Sequence, residues 1–118
     1  GKIDNNSLDM KFIYSASDLM VAPSIQESFG LTVLEASCCG LPSVCFEDTG
    51  FCDVINHKTN GYISKMNSEN DLIKGIDWCL NNWSDDLAKK NINALKEKFH
   101  NKVISQKYLT LYKKILNL

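Results

Sequence analysis

LMVAPSIQESFGLTVLEASCCGLPSVCF, residues 19–46, sets two short apolar runs on either side of a helical repeat. LMVAP, closed by Pro23, has the length and the unbroken hydrophobicity of a strand buried on both faces. The polar loop SIQES follows, and then FGLTVLEASCCG, in which Leu31, Leu34 and Cys38 give one apolar stripe and Gly40 stands where a helix-ending glycine belongs. LPSVCF is the second strand. Strand, loop, helix, strand predicts a parallel β-α-β unit, whose ligands gather at the carboxyl ends of the strands.

Working outward, DTGF reads as a turn, a helical turn is expected around Cys52–Asn56, and GYI supplies a third short strand. Ser68 with Asp71 three residues later resembles a capping box, and Leu72, Ile76 and Cys79 or Leu80 carry a helix up to Asn82. Ser84 caps another helix with the stripe Leu87, Ile92, Leu95 and Phe99. After a break at His100-Asn101, a last helix carries Val103, Ile104, Tyr108, Leu111, Tyr112 and Ile115. Upstream, Ser7 is the expected N-cap of a first helix over 7–16, with Leu8, Phe12 and Ala16 at helical spacing. The fold class is therefore α/β, a Rossmann-like parallel sheet with flanking helices. Three strands are few for such a sheet, so further strands and helices are expected to precede Gly1 in a longer parent protein.

The composition bounds the function. The chain has 118 residues, 14 acidic side chains and 13 basic ones, all lysine, for a formal charge of −1. That is one small domain, and its 44% apolar residues suffice for a core. A near-neutral chain lacks the basic excess of a nucleic-acid binder, so no nucleic acid is expected as a partner. The charge is uneven: residues 1–86 carry 5 lysines against 13 acids, and residues 87–118 carry 8 lysines against one acid. The basic tail is read as a solvated helical face, with contact to an anionic membrane surface as the alternative. Cys38, Cys39, Cys45, Cys52 and Cys79 are odd in number and lack paired metal-type spacing, and are expected as reduced, buried thiols of an intracellular protein. No run approaches the ~20 apolar residues of a membrane span, and the N-terminus has no signal-peptide layout.

The chemistry lies in residues 23–40. Glu27 sits in the loop after a strand and Glu35 inside the next helix. A helix beginning near Phe29 would set Glu35 roughly 9 Å along its axis, so two carboxylates could serve two ends of one ligand. Between them Gly30 lets backbone approach a ligand closely, and the amides of Gly30, Leu31 and Thr32 begin a helix without intrahelical partners. Such amides, with the positive end of the helix dipole, suit a diphosphate.

PSIQESFGLTVLEASCCGLPSV resembles the donor-binding motif of glycosyltransferase family four, retaining enzymes of the GT-B fold: a Glu, seven residues and a second Glu after a Pro-Ser pair. Gly50, Val54, Ile55 and Asn60-Gly61-Tyr62 fall where that family has its Gly-rich and Asn-Gly elements, and Tyr108 to Tyr112 resembles its closing helix. The resemblance covers about residues 1–116. It implies a C-terminal nucleotide-sugar-binding domain fragment, 1–118, separated from the acceptor domain and from the first part of its own domain. By it, Glu27 is the catalytic-site residue that hydrogen-bonds the transferred sugar, with Ser28, Phe29 and Gly30 beside it. The amides of Phe29, Gly30, Leu31 and Thr32 hold the diphosphate, and Glu35 accepts the ribose hydroxyls.

The implied reaction moves a sugar from a UDP- or GDP-sugar to an acceptor with retention, in polysaccharide or glycolipid assembly. It uses no cofactor and no essential metal. The implied location is the cytoplasm, with the inner membrane surface as an alternative. Ser28 stands where many relatives have glycine and Asp53 where they commonly have Glu. The family's Arg and Lys pair lies upstream, and this chain has no arginine. The fragment is therefore expected to be inactive alone, with the missing N-terminal domain as a partner.

Plainer readings stand beside these. Taken singly, Glu27 is a loop carboxylate and Glu35 a solvent-facing helix residue. His57 and His100 read as exposed or capping histidines. Trp78, Trp83, Tyr108 and Tyr112 read as core or interdomain packing rather than a stacking platform. For the whole chain the alternatives are a non-catalytic binding or assembly module and a phosphosugar-processing enzyme of the same fold.

Overall fold

Met20–Ala22 (β1), Ser43–Phe46 (β2) and Gly61–Ser64 (β3) form a parallel sheet in that order, in a computed structural model that describes residues 8–117. Val21 pairs with Val44, and Val44 with Tyr62. All four residues of the central strand β2 are buried, which is why its sequence is apolar without alternation. The helices are α1 (Leu8–Ser15), α2 (Leu31–Cys38), α3 (Glu69–Asn82), α4 (Asp85–Phe99) and α5 (Asn101–Leu116), and a 3-10 turn spans Gly50–Asp53. The chain is an α/β protein with helices on both faces of its sheet, as its sequence predicts.

The strand side chains alternate between two cores. On one face Ala22 and Cys45 meet Val33 of α2, Phe51, Val54, Ile55 and Leu95 of α4. On the other, Val44 and Tyr62 meet Cys79, with Leu72, Ile76 and Trp78 of α3 packed against them. A smaller cluster of Tyr14, Ala36 and Leu41 ties α1 to α2.

The helix boundaries follow local chemistry. Ser68 Oγ accepts the Asp71 amide at 3.3 Å and Ser84 Oγ accepts the Leu87 amide at 3.4 Å, so both expected caps form. His100 ends α4 and begins α5, its Nδ1 accepting the Lys102 amide at 3.2 Å. His57 is exposed and its Nδ1 accepts the Ile63 amide at 3.1 Å, so both histidines serve as caps of exposed backbone.

Several expectations are corrected. The first helix ends at Ser15 rather than 16, and its expected cap Ser7 lies outside the described residues. α2 begins at Leu31, not near Phe29, and it buries Val33, Ala36 and Ser37 while Cys38 is exposed and Leu31 is 63% exposed. Small side chains at 36 and 37 let the helix lie close to its neighbours, and this outweighs the bulk of Leu31. The helical turn expected at Cys52–Asn56 is the 3-10 turn Gly50–Asp53. Of the cysteines only Cys45 and Cys79 are buried; Cys39 and Cys52 are half-buried, and all five are free. Burial pushes the Cys45 thiol up to about 12 and the Cys79 thiol up to about 11. α5 buries none of its residues, and Tyr108 and Tyr112 are each 55% exposed, so neither is core among the described residues. Among those residues no helix is long and apolar enough to cross a membrane.

Candidate functional site

Pro23 ends β1 and sends the chain into the loop that carries Glu27 at the carboxyl edge of the sheet. Glu27 is half-buried, and its Oε1 accepts the amides of Ser28 at 3.0 Å and Phe29 at 3.3 Å. A carboxylate thus already sits on the amides that lead into α2, and those amides select negative charge. The backbone oxygen of Glu27 accepts the Gly50 amide at 2.8 Å, fastening this loop to the 3-10 turn after β2. Ser28 is exposed. Phe29 packs edge-on against Phe99 of α4, with ring centroids 5.6 Å apart.

Gly30 is the N-cap of α2, with φ +92° and ψ 49°, a left-handed conformation that L residues avoid. A Cβ there would lie 2.4 Å from Cδ1 of Phe51, which is itself 2% exposed. Glycine at 30 is therefore required twice, by the turn of the backbone and by the ring beneath it. Gly30, as the N-cap, has no side chain with which to cap α2, and the first amides of a helix have no intrahelical acceptor. Leu31 and Thr32 are exposed, while Gly30 itself is buried against Phe51. No lysine lies between Lys11 and Lys58 in the sequence, but Lys98 of α4 donates to the Asp53 carbonyl at 2.6 Å and lies 4.9 Å from the centre of the Phe99 ring that packs on Phe29.

Glu35 lies one turn farther along α2 and is half-buried. Its Oε2 accepts the Tyr14 hydroxyl of α1 at 3.2 Å. Tyr14 is 8% exposed, and burial, followed by the charge and hydrogen bond of Glu35, pushes its phenol above the ordinary tyrosine value. Together with Met10, Lys11, Cys38 and Cys39 these two residues line a cavity of about 200 Å³ between the helices. Glu27 is not part of that lining. The two glutamates thus have separate surroundings, Glu27 on the amides of the loop that leads into α2 and Glu35 in the cavity against α1, and the structure shows no cavity that both of them line among the described residues.

Sequence reasoning missed Tyr14 and Phe51, since both act across distances no periodicity reports. It also missed Asn60 and Asn91, which are 5% and 7% exposed. Asn60 accepts the Asn56 amide at 2.6 Å and donates to the Val54 carbonyl at 3.1 Å and to Asn91 Oδ1 at 2.9 Å. It fastens the segment that runs from the 3-10 turn to β3 onto α4, beside a cavity of about 150 Å³. The one signal in the sequence is Asn60-Gly61, which enters there only as part of the family resemblance.

The comparisons with known proteins bear on residues along nearly the whole chain. The family model described as Glycosyl transferases group 1 matches residues 4–98. N-acetyl-alpha-D-glucosaminyl L-malate synthase of Bacillus anthracis is 31% identical over 121 residues, covering 98% of this chain and 30% of that protein. The structure of sucrose-phosphate synthase from Thermosynechococcus elongatus superposes with a TM-score of 0.82 at 26% identity, covering 99% of this chain and 29% of that one. HepE of Anabaena, solved in complex with UDP and glucose, has the same fold, with a TM-score of 0.74 at 23% identity over 92% of this chain and 30% of that one. The chain spans 21% to 30% of the length of the curated relatives it matches first.

Proposed function

Because the chain belongs to the glycosyl transferases group 1 family, we propose that it is the donor-binding part of a retaining glycosyltransferase, which moves a sugar from a nucleoside diphosphate to an acceptor. The observation that carries this reading is the start of α2, where Leu31 and Thr32 are exposed, Glu27 lies on the amides that lead into the helix, and Glu35 follows one turn along it. A diphosphate there meets the amides of Gly30, Leu31 and Thr32 and the positive end of the helix. To add the Phe29 amide, it must displace Glu27 Oε1, which now holds that hydrogen. The displaced carboxylate is then free to accept hydroxyls of the transferred sugar, beside Ser28, Phe29 and Gly30. Glu35 faces the other end of the ligand and accepts ribose hydroxyls, a carboxylate having lone pairs for both.

The same reading supplies the rest of the protein. Among the described residues β1 is an edge of the sheet, with Val21 37% exposed, and an unpaired edge beside a ligand site calls for a further strand. We assign that strand, the acceptor domain and the cationic pair for the leaving diphosphate to an N-terminal portion of the same protein, and Tyr108 and Tyr112 to packing against it. Such a protein would serve polysaccharide or glycolipid assembly in the cytoplasm, and its lysine-rich α5 would permit contact with the inner membrane surface. The fragment alone, without cations at the diphosphate, binds donor weakly and does not turn it over.

The test is a panel of UDP-, GDP- and ADP-sugars, read by saturation-transfer NMR and thermal shift on the wild type and on Glu35→Ala. One nucleotide class is expected to bind in the high-micromolar to millimolar range, with Glu35→Ala weakening it about tenfold, the worth of a charge-assisted hydrogen bond. Binding that is unchanged in Glu35→Ala would remove the ribose assignment.

A further inference from the structure

We infer that Tyr14 is a positioning residue for ligand recognition: its hydroxyl fixes the Glu35 carboxylate so that Oε1 is presented to the vicinal hydroxyls of a ribose. This rests on the reading of Glu35 as the ribose acceptor. The hydrogen bond at 3.2 Å engages Oε2, the other carboxylate oxygen, Oε1, lying outside that bond. Tyr14 is almost fully buried in the cluster with Ala36 and Leu41, so its ring has little freedom and its hydroxyl is a fixed point. Glu35, by contrast, carries three rotatable bonds on a half-buried helix face. An unanchored glutamate would lose that freedom on binding; one tied down beforehand has already lost it, which is the gain of preorganisation. The bond is also polar in one direction only. Burial and the neighbouring carboxylate keep the phenol protonated well into alkaline conditions, so Tyr14 remains a donor and Glu35 the acceptor.

A merely structural tie between α1 and α2 makes a different demand. It would stabilise the helices against unfolding but would have no preference among ligands. The test therefore compares UDP, GDP and ADP, each with its 2′,3′-dideoxy analogue, on the wild type, Tyr14→Phe and Glu35→Gln. Phenylalanine keeps the buried ring and removes only the hydroxyl. Tyr14→Phe is expected to weaken the ribonucleotide about three- to tenfold, the range of one hydrogen bond, and to leave the dideoxy analogue unchanged. Equal weakening of both, or of neither, overturns the positioning role if Glu35→Gln still weakens the ribonucleotide selectively. If Glu35→Gln itself fails to discriminate, the ribose assignment falls and the positioning role falls with it. A measurement on the free chain keeps the question answerable without ligand. Side-chain NMR couplings should report one Glu35 rotamer in the wild type and averaging in Tyr14→Phe; a single rotamer in both would refute the proposal.

Discussion

Replacing Gly30 by alanine tests the geometry at the start of α2, and the structure supplies its own control. Gly30 and Gly40 share a φ of +92°, so alanine at either site incurs the left-handed strain of roughly 1–2 kcal/mol. Their surroundings differ. At Gly40 the nearest atom to a new Cβ is the Ala88 Cβ at 3.5 Å, an ordinary contact. At Gly30 it meets Phe51 Cδ1 at 2.4 Å, Cε1 at 3.1 Å and the Phe51 Cα at 3.2 Å. A ring 2% exposed has nowhere to retreat, and overpacking of this kind costs about 1–3 kcal/mol. Gly40→Ala should therefore destabilise by about 1–2 kcal/mol and Gly30→Ala by about 2–5 kcal/mol. Urea unfolding followed by far-ultraviolet circular dichroism measures both, with the slope expected to stay constant while the midpoint falls. Phe51→Leu completes a double-mutant cycle: in that background Gly30→Ala should cost at least about 1 kcal/mol less than in the wild type. Equal costs at the two glycines, or additive behaviour with Phe51→Leu, would refute the claim that Phe51 seals the underside of the helix start.

Asn60→Ala should destabilise by about 2–4 kcal/mol in urea unfolding, because it leaves the Val54 carbonyl, the Asn56 amide and Asn91 Oδ1 without their shared partner. Asp71 accepts the Lys65 amide at 2.8 Å and the Tyr62 hydroxyl at 3.3 Å, and the Lys65 amide first of all holds its carboxyl below the ordinary value of 3.8. With the folded value depressed, this contribution is fully present above the ordinary value and is lost as pH falls through the folded one. Asp71→Asn should therefore flatten the acid limb of a stability titration, and an unchanged limb would count against the contact. Thiol labelling in native buffer should modify the exposed Cys38 first and reach the buried Cys45 and Cys79 only with unfolding; peptide mass mapping reads the order.

The parts of this fold that were legible in the sequence are those fixed by neighbours along the chain. Ser68 and Ser84 cap because the amide each needs lies three residues on, and the central strand reads as an unbroken apolar run because the sheet buries both its faces, whereas β1 buries only Ala22. The start of α2 was placed two residues early because the decisive contact comes from Phe51, 21 positions beyond Gly30. The apolar stripe of the same helix was misjudged because helical spacing weighs Leu31 above Ala36 and Ser37, whereas packing against a sheet rewards the small pair. Asn60 and Asn91 stand 31 positions apart, and Asn91 on an amphipathic helix reads as a surface residue until its partner is known. Tyr14 and Glu35 stand 21 apart and belong to helices whose order along the chain says nothing of their contact. The candidate site was legible as a pattern of two acids around a glycine; its support was not.

That support bears on how, in the proposed function, a chain without arginine would hold an anion. Backbone amides attract a phosphate usefully only if they are held convergent beforehand, since each must otherwise be ordered at the moment of binding. Here the loop after β1 is tied to the turn after β2 by the Gly50 amide on the Glu27 carbonyl. The two segments lie so close that a Cβ on Gly50 would fall 2.3 Å from the Ser28 carbonyl carbon. Phe51, next in the chain, fills the space under Gly30, and Phe29 is held from the far side by Phe99. The helix start is thus clamped by two elements distant in sequence, the 3-10 turn and α4, and the Glu27 carboxylate holds the amides that lead into it. A fixed cluster of dipoles does not distinguish one nucleotide from another, so in the proposed function selectivity would be drawn from Glu27 and Glu35, as acceptors of hydroxyls.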